Sequence, residues 1–372
     1  MSITQKATAL VVGLGLVTLS ACGSGSSDGS SGGDSKTVTL VSHDSWAVSK
    51  NVLADFEKRS GYKVKVLKDG DAGQAVNKAI LTKDNPQGDV FFGVDNTLLS
   101  RALDNGLFQP YEAKGSDLIQ PEYRADQDKH RVTPIDTGDI CVNYDKAYFS
   151  EHKLTPPDSF DDLVKPAYKN LLVTENAATS SPGLAFLLGS AAKYGDGRTS
   201  RSSEAESGGG WPGYWKKLKA NGVKVVDGWE QAYNEEFSGS AGGKKAKADR
   251  PLVVSYASSP PAEVIYADPK PKTAPTGVAA GTCFRQVEYA GLLSNASNTK
   301  GGKALLDFLL TKEFQDDMPL NMFVYPVREG AQVPPEFAEY GPQAKDPETL
   351  DPARIADNRD QWVKSWTSLV LK

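Results

Sequence analysis

The sequence predicts an α/β protein of two domains, each built on a parallel sheet flanked by helices and joined by a two-strand hinge. Three observations predict it. From residue 36 onward, short β-branched runs alternate with amphipathic stretches, the βαβ pattern of a parallel sheet. That alternation runs once before and once after residues 131–144. Two long strand-like stretches, 131–144 and 282–293, stand where the chain crosses from one domain to the other and back. With 372 residues and 39% hydrophobic content, the chain is long enough for two cores.

The first set of elements opens with the strand 37–41, reading Thr-Val-Thr-Leu-Val. A helix follows over 46–60 with Val52, Leu53 and Phe56 on one face, stopped by Gly61. Then come a strand at 62–67, a helix at 74–82, a strand at 89–94 and a helix at 96–104. The second set holds strands at 171–174, 223–226 and 252–255, with helices at 182–194 and 230–237 between them. Helices around 304–310 and 355–369 close the chain and are expected to return to the first domain. Stretches 195–210 and 238–247 offer no apolar face and read as surface loops. The expected lobes are therefore 36–140 plus 285–372, and 141–284. No internal repeat is present.

Ahead of these elements, residues 1–21 read as a lipoprotein signal peptide. An apolar run over 7–19, too short to span a bilayer, follows Lys6 and ends in Leu19-Ser20-Ala21-Cys22. Cys22 is the expected lipid anchor, and the Gly, Ser and Asp of 22–35 form a flexible tether. The expected location is the extracytoplasmic face of the cell membrane, with contact to lipid through the anchor only. Loss of the leader removes Lys6 from 42 basic residues, leaving 41 against 47 acidic ones, a net charge of −6. No basic stripe is present, which argues against nucleic acid, and the acidic balance mildly favours a cationic ligand. Once Cys22 is acylated, Cys141 and Cys283 remain. One falls on each hinge stretch, and in an oxidising compartment they are expected to form a disulfide.

In open α/β sheets ligands bind beyond the carboxyl ends of strands, so the residues after each predicted strand are the first candidates. In the first set these are His43-Asp44-Ser45, then Asp69-Gly70, then Asp95. In the second they are Ser180-Ser181-Pro182, then Asp227-Gly228-Trp229, then Tyr256-Ala257-Ser258-Ser259. Asp44, Ser45 and Asp95 also suit helix caps. Ser180-Ser181-Pro182 fits both a cap and an anion seat at a helix start. Trp229 and Tyr256 fit either the core or a cleft wall. Carboxylates on one side and aromatics on the other suit a flat cationic heterocycle, and a sugar would also stack.

Six segments together resemble the thiamine-binding components of ABC transporters, proteins of the type II periplasmic-binding-protein fold. They are Asp44-Ser45, the run 89–99, the run 179–184, Gly228-Trp-Glu-Gln-Ala-Tyr233, the run 254–260 and Tyr325-Pro-Val327. The likeness runs from about residue 38 to the end. It implies a monomeric receptor that closes by hinge bending on thiamine or a thiamine phosphate and delivers it to a membrane permease, with no cofactor, no metal and no catalysis. It implies that Asp69-Gly70 contacts the ligand, that Ser180 and Ser181 hold its hydroxyethyl or phosphate end, that Trp229 packs on it and that 256–259 line the far wall. His43, Phe323 and Ala262 stand where similar proteins carry a tyrosine, a tryptophan and a tyrosine.

Other classes stay open at this point. A polyamine or another cationic solute would suit the same acids and rings. Thiamine-cleaving enzymes of the same fold use a cleft cysteine, whereas Cys141 and Cys283 fall on hinge stretches. His43, His130 and His152 have no metal-ligand spacing. The Gly-x-Ser-x-Gly match at 29–33 lies in the tether, without the strand and helix a nucleophile elbow needs.

Overall fold

The computed structural model describes residues 35–196 and 209–372. The signal peptide, Cys22, all but the last residue of the tether with its Gly-x-Ser-x-Gly match, and most of the stretch 195–210 lie outside the described residues. Ten strands form one mixed sheet: β1 Thr37–Ser42, β2 Lys63–Lys68, β3 Val90–Asp95, β4 Phe108–Gln109, β5 Thr133–Asp145, β6 Leu172–Glu175, β7 Lys224–Val226, β8 Leu252–Tyr256, β9 Thr276–Leu293 and β10 Tyr325–Pro326. The order is β2-β1-β3-β9-β5-β8-β6-β7, with β4 on β9 and β10 on β5.

The parallel units are where the sequence places them. β2, β1 and β3 are parallel at one end, and β8, β6 and β7 are parallel at the other. β3, Val-Phe-Phe-Gly-Val-Asp, is buried along its whole length, as a strand covered on both faces must be. β2 forms the edge, and its alternating lysines guard it against pairing with another chain. The two stretches expected to form the hinge are β5 and β9, an antiparallel pair reaching from Thr133 opposite Ala290 to Asp145 opposite Thr276. β9 begins six residues earlier than its apolar pattern suggests, because Gly277 and Ala280-Gly281 interrupt the alternation. The register shifts between Ile140 and Val142, and there Cys141 and Cys283 form a disulfide with Cα atoms 4.2 Å apart.

Other expected elements differ as well. The helix predicted from residue 46 is Lys50–Ser60: the Trp46 side chain turns into the core, and the Ser49 amide donates to Asp317 Oδ2 at 2.8 Å. Part of the expected loop 238–247 is a helical turn, Ala241–Ala246. Ser240 Oγ caps it by accepting from Gly243 N at 2.9 Å, and it also donates to the Tyr233 carbonyl at 2.6 Å. The last helix, Pro352–Trp366, does not return to the first set alone. Its Asp360 pairs with Arg101 of the helix Leu99–Asp104, and Trp366 meets Trp215 of the helix Gly210–Ala220 edge-on at 5.3 Å.

Candidate functional site

Strand direction creates the site. β9 runs against both β3 and β5, and β8 runs against β5, so the two parallel units point in opposite senses and their carboxyl ends face each other. A cleft of about 260 Å³ opens between those ends. His43-Asp44-Ser45 enters it after β1, Asp71 after β2, Ser181-Pro182 after β6, Asp227 to Gln231 and Tyr233 after β7, Tyr256 and Ser259 at the end of β8, and Met322-Phe323-Val324 before β10. Phe323 holds a left-handed backbone, φ 56°, a strained choice for a non-glycine residue that recurs at ligand sites.

One wall is aromatic. Trp229 stacks on Tyr233 at 5.0 Å and meets Tyr256 edge-on at 6.1 Å. Trp229 Nε1 donates to Ser255 Oγ, itself paired with Ser259 Oγ, each at 2.9 Å, so both serines serve to fix the indole. The other wall is acidic. Asp44, Asp71 and Glu288 line it, Asp227 and Glu230 flank Trp229 at its rim, and among the described residues no lysine or arginine lines the cleft.

Behind that wall three carboxylates stand abreast, because Glu288 of β9 lies opposite Asp95 on β3 and Asp136 on β5. Burial first, then the charges of Glu288 and Asp95, push Asp136 well above the carboxylate range. Burial also raises Asp95, against the pull of Ser181, Thr97 and Gln286. His43 Nε2 lies 3.3 Å from Glu288 Oε1. Burial lowers the His43 imidazole, but Glu288 and Asp71 raise it further, and the net shift is upward. The ring sits against Gly93, where φ is +106° and an added Cβ would come within 2.4 Å of Cδ2.

Several bonds cross the cleft. Asp71, at the start of the helix Ala72–Leu81, accepts from Trp229 N at 2.9 Å and Ser181 N at 3.2 Å. Ser45 Oγ donates to Glu230 Oε1 at 2.9 Å, and Gln74 N donates to the Thr179 carbonyl at 3.0 Å. Burial raises the Asp71 carboxyl most, and the two amides and His43 draw it back only in part.

The structure brings His43, Asp44, Ser45, Ser181, Trp229, Tyr256, Ser259 and Phe323 to this cleft. The other expected residues lie beside or behind it. Asp69 turns away to Lys78 at 2.5 Å, and Gly70 is the turn whose amide donates to Asp44 Oδ1 at 3.1 Å. Asp95 holds Ser181 Oγ and accepts from Gln286 at 3.0 Å from behind the wall. Ser180, Ala257 and Ser258 are buried, Ala257 against the disulfide. The acid that reaches the ligand space after β2 is Asp71, two residues beyond Asp69. Its signal is an acid directly before Ala-Gly-Gln-Ala-Val, an N-cap position. Glu288 carried a weaker signal, the one acid in a mostly buried strand that also holds Arg285.

Among the described residues no group of three or more His, Cys, Asp or Glu could hold a metal ion, and no helix is long and apolar enough to cross a membrane. The chain is 26% identical to a thiamine-binding periplasmic protein of Brucella suis biovar 1 over 89% of this chain and 91% of that one. A solved periplasmic thiamin binding protein superimposes with a TM-score of 0.74 at 25% identity, covering 90% of this chain and 96% of its own. Iron uptake protein A1 of Synechocystis sp. is 24% identical over 92% of this chain and 91% of its own. The sequence pattern of the bacterial extracellular solute-binding proteins matches residues 51–345, and the fold is the two-lobed type II fold of periplasmic binding proteins. This chain belongs to the bacterial extracellular solute-binding protein family.

Proposed function

We propose that the chain is the thiamine receptor of an ABC importer. The observation that carries the reading is the pairing of the Trp229–Tyr233–Tyr256 wall with five cleft carboxylates and, among the described residues, no lysine or arginine. An aromatic face attracts a desolvated cation by about 2 kcal/mol, and the acids neutralise it. Thiamine joins two flat rings and one fixed positive charge. The thiamine-binding relatives support the same cargo. An iron cargo lacks a matching donor cluster among the described residues.

In this reading the lobes are 36–140 with 285–372, and 141–284. They close by bending at β5 and β9, and the closed form docks a permease. The site comprises the eight expected residues that line the cleft together with Asp71, Tyr233 and Glu288. Cys22 anchors the monomeric receptor by lipid at the extracytoplasmic face. The function is read as capture: among the described residues Cys141 and Cys283 are joined in a disulfide, so neither is a free thiol for the nucleophile role of a thiamine-cleaving enzyme.

Titration calorimetry of the full-length chain with thiamine and with spermidine tests the reading. Submicromolar thiamine binding, with compaction in solution scattering, is expected. Heat from spermidine alone would move the cargo to polyamines, and release of free thiazole on incubation with thiamine and an amine would make the chain an enzyme.

A further inference from the structure

We propose that this cleft selects the unphosphorylated cationic ligand over its phosphate esters, because Asp71 fills the place a phosphate would take. The inference rests on the thiamine reading and narrows it. The helix Ser181–Tyr194 starts at the cleft with Pro182 in its first turn, and such a start, with its free amides, would otherwise seat an anion.

Here both donors of its first residue, Ser181, are engaged. Ser181 N donates to Asp71 Oδ1 at 3.2 Å, and Ser181 Oγ donates to Asp95. The neighbouring Trp229 amide donates to Asp71 Oδ2 at 2.9 Å. Asp71 belongs to the opposite wall, so one carboxylate reaches across the cleft and closes two amides that face it.

A phosphate would have to displace that carboxylate and then lie among Asp44, Asp227, Glu230 and Glu288. Among the described residues no lysine or arginine lines the cleft to balance it, Lys68 is held on the Asp44 carbonyl at 2.6 Å, and the cleft's histidine, His43, is already paired with Glu288 at 3.3 Å. A buried anion without a charge partner is strongly disfavoured. A positively charged ring system meets the reverse condition: Asp71 keeps both amides and becomes its counter-ion. Asp71 thus acts as a specificity residue, and its effect is read as a ratio of affinities rather than as an affinity.

The test is parallel calorimetric titration of the full-length chain and an Asp71→Asn variant with thiamine and thiamine monophosphate. Thiamine is expected to bind the unaltered chain at least about tenfold tighter than the monophosphate. In Asp71→Asn the gap is expected to shrink to about threefold or less. Should the asparagine variant fail to fold, Asp71→Ser, which keeps a preferred helix cap, replaces it. Equal affinities in the unaltered chain, or an unchanged ratio in a folded variant, would overturn the inference and leave the receptor reading standing. Absence of binding by both compounds would overturn the receptor reading, and this inference with it.

Discussion

The indole of Trp229 lies on the phenol of Tyr233 with ring centres 5.0 Å apart and planes 15° from parallel. Its Nε1–H is tied to Ser255 Oγ on β8, so neither face nor edge is free to turn. A ring held in this way loses little entropy when a ligand stacks on it. Trp229→Ala is expected to weaken thiamine binding by about 10- to 100-fold, the size of one stacking plus one cation–π contact. Trp229→Phe, which keeps a face but not the anchoring bond, should fall between. Calorimetry decides it, and an unchanged affinity in the alanine variant would remove Trp229 from the site.

Gly73 faces Thr179 across the cleft. A Cβ built there would lie 2.5 Å from the Thr179 carbonyl oxygen, too close for any real contact, and the obstacle is backbone. Gly73→Ala is therefore expected to wedge the two walls apart without disturbing either core. Thiamine affinity should fall at least about tenfold, since the bonds from Gln74 N and Asp71 form only when the walls meet. The melting temperature of the ligand-free chain should change by no more than a few degrees. Scattering checks the geometry: an unchanged ligand-induced compaction in the variant would sink this account.

How far the sequence reveals this architecture differs by element. The buried parallel strands were legible because apolar runs such as Val-Phe-Phe-Gly-Val are too short for a helix and rich in β-branched and aromatic residues, and Gly61 marks the end of the first helix. Strand-end reasoning reached Trp229, Tyr256 and Ser181 because parallel topology alone puts those positions at the cleft. Asp71 escaped it because the choice among Asp69, Gly70 and Asp71 depends on where the helix starts, and boundaries are set by caps rather than by periodicity. Glu288 escaped it because its partners, Asp95 and Asp136, come from strands distant in sequence. The Ser240 turn was masked by its glycines and lysines, which carry no apolar pattern. Its stability comes from a cap and from packing.

The buried carboxylates and His43 set the pH response. The His43 imidazole, lowered by burial but raised more by Glu288 and Asp71, titrates above its ordinary value in the fold. A raised basic group contributes stability fully below its unfolded value of about 6.5 and loses it as pH climbs through the folded value. Asp136, raised by burial and by Glu288, acts with the same sign from a lower start: its contribution is present below about 3.9 and lost as pH rises through its folded value. The melting temperature is therefore expected to fall as pH rises above about 6.5. His43→Gln should flatten that decline, and Asp136→Asn should raise the melting temperature at neutral pH. Thermal melts between pH 5 and 9 test both, and parallel profiles for His43→Gln and the unaltered chain would refute the histidine's part.

Cys141 and Cys283 join the two long strands at the point where their register shifts, closing a sequence separation of 142 residues. A cross-link over so long a span restricts the unfolded chain strongly, and its loss is expected to cost about 2–4 kcal/mol. Neither cysteine lines the cleft, and the bond packs with Ala257, Val278 and Ala344, none of which lines it either, so stability and affinity should separate. In a Cys141→Ser, Cys283→Ser double variant the urea midpoint should drop, while thiamine affinity well below the transition stays within about twofold of the unaltered chain. If affinity falls as far as stability does, the disulfide also sets the spacing of β5 and β9 at the cleft floor, and the hinge must be drawn through it rather than beside it.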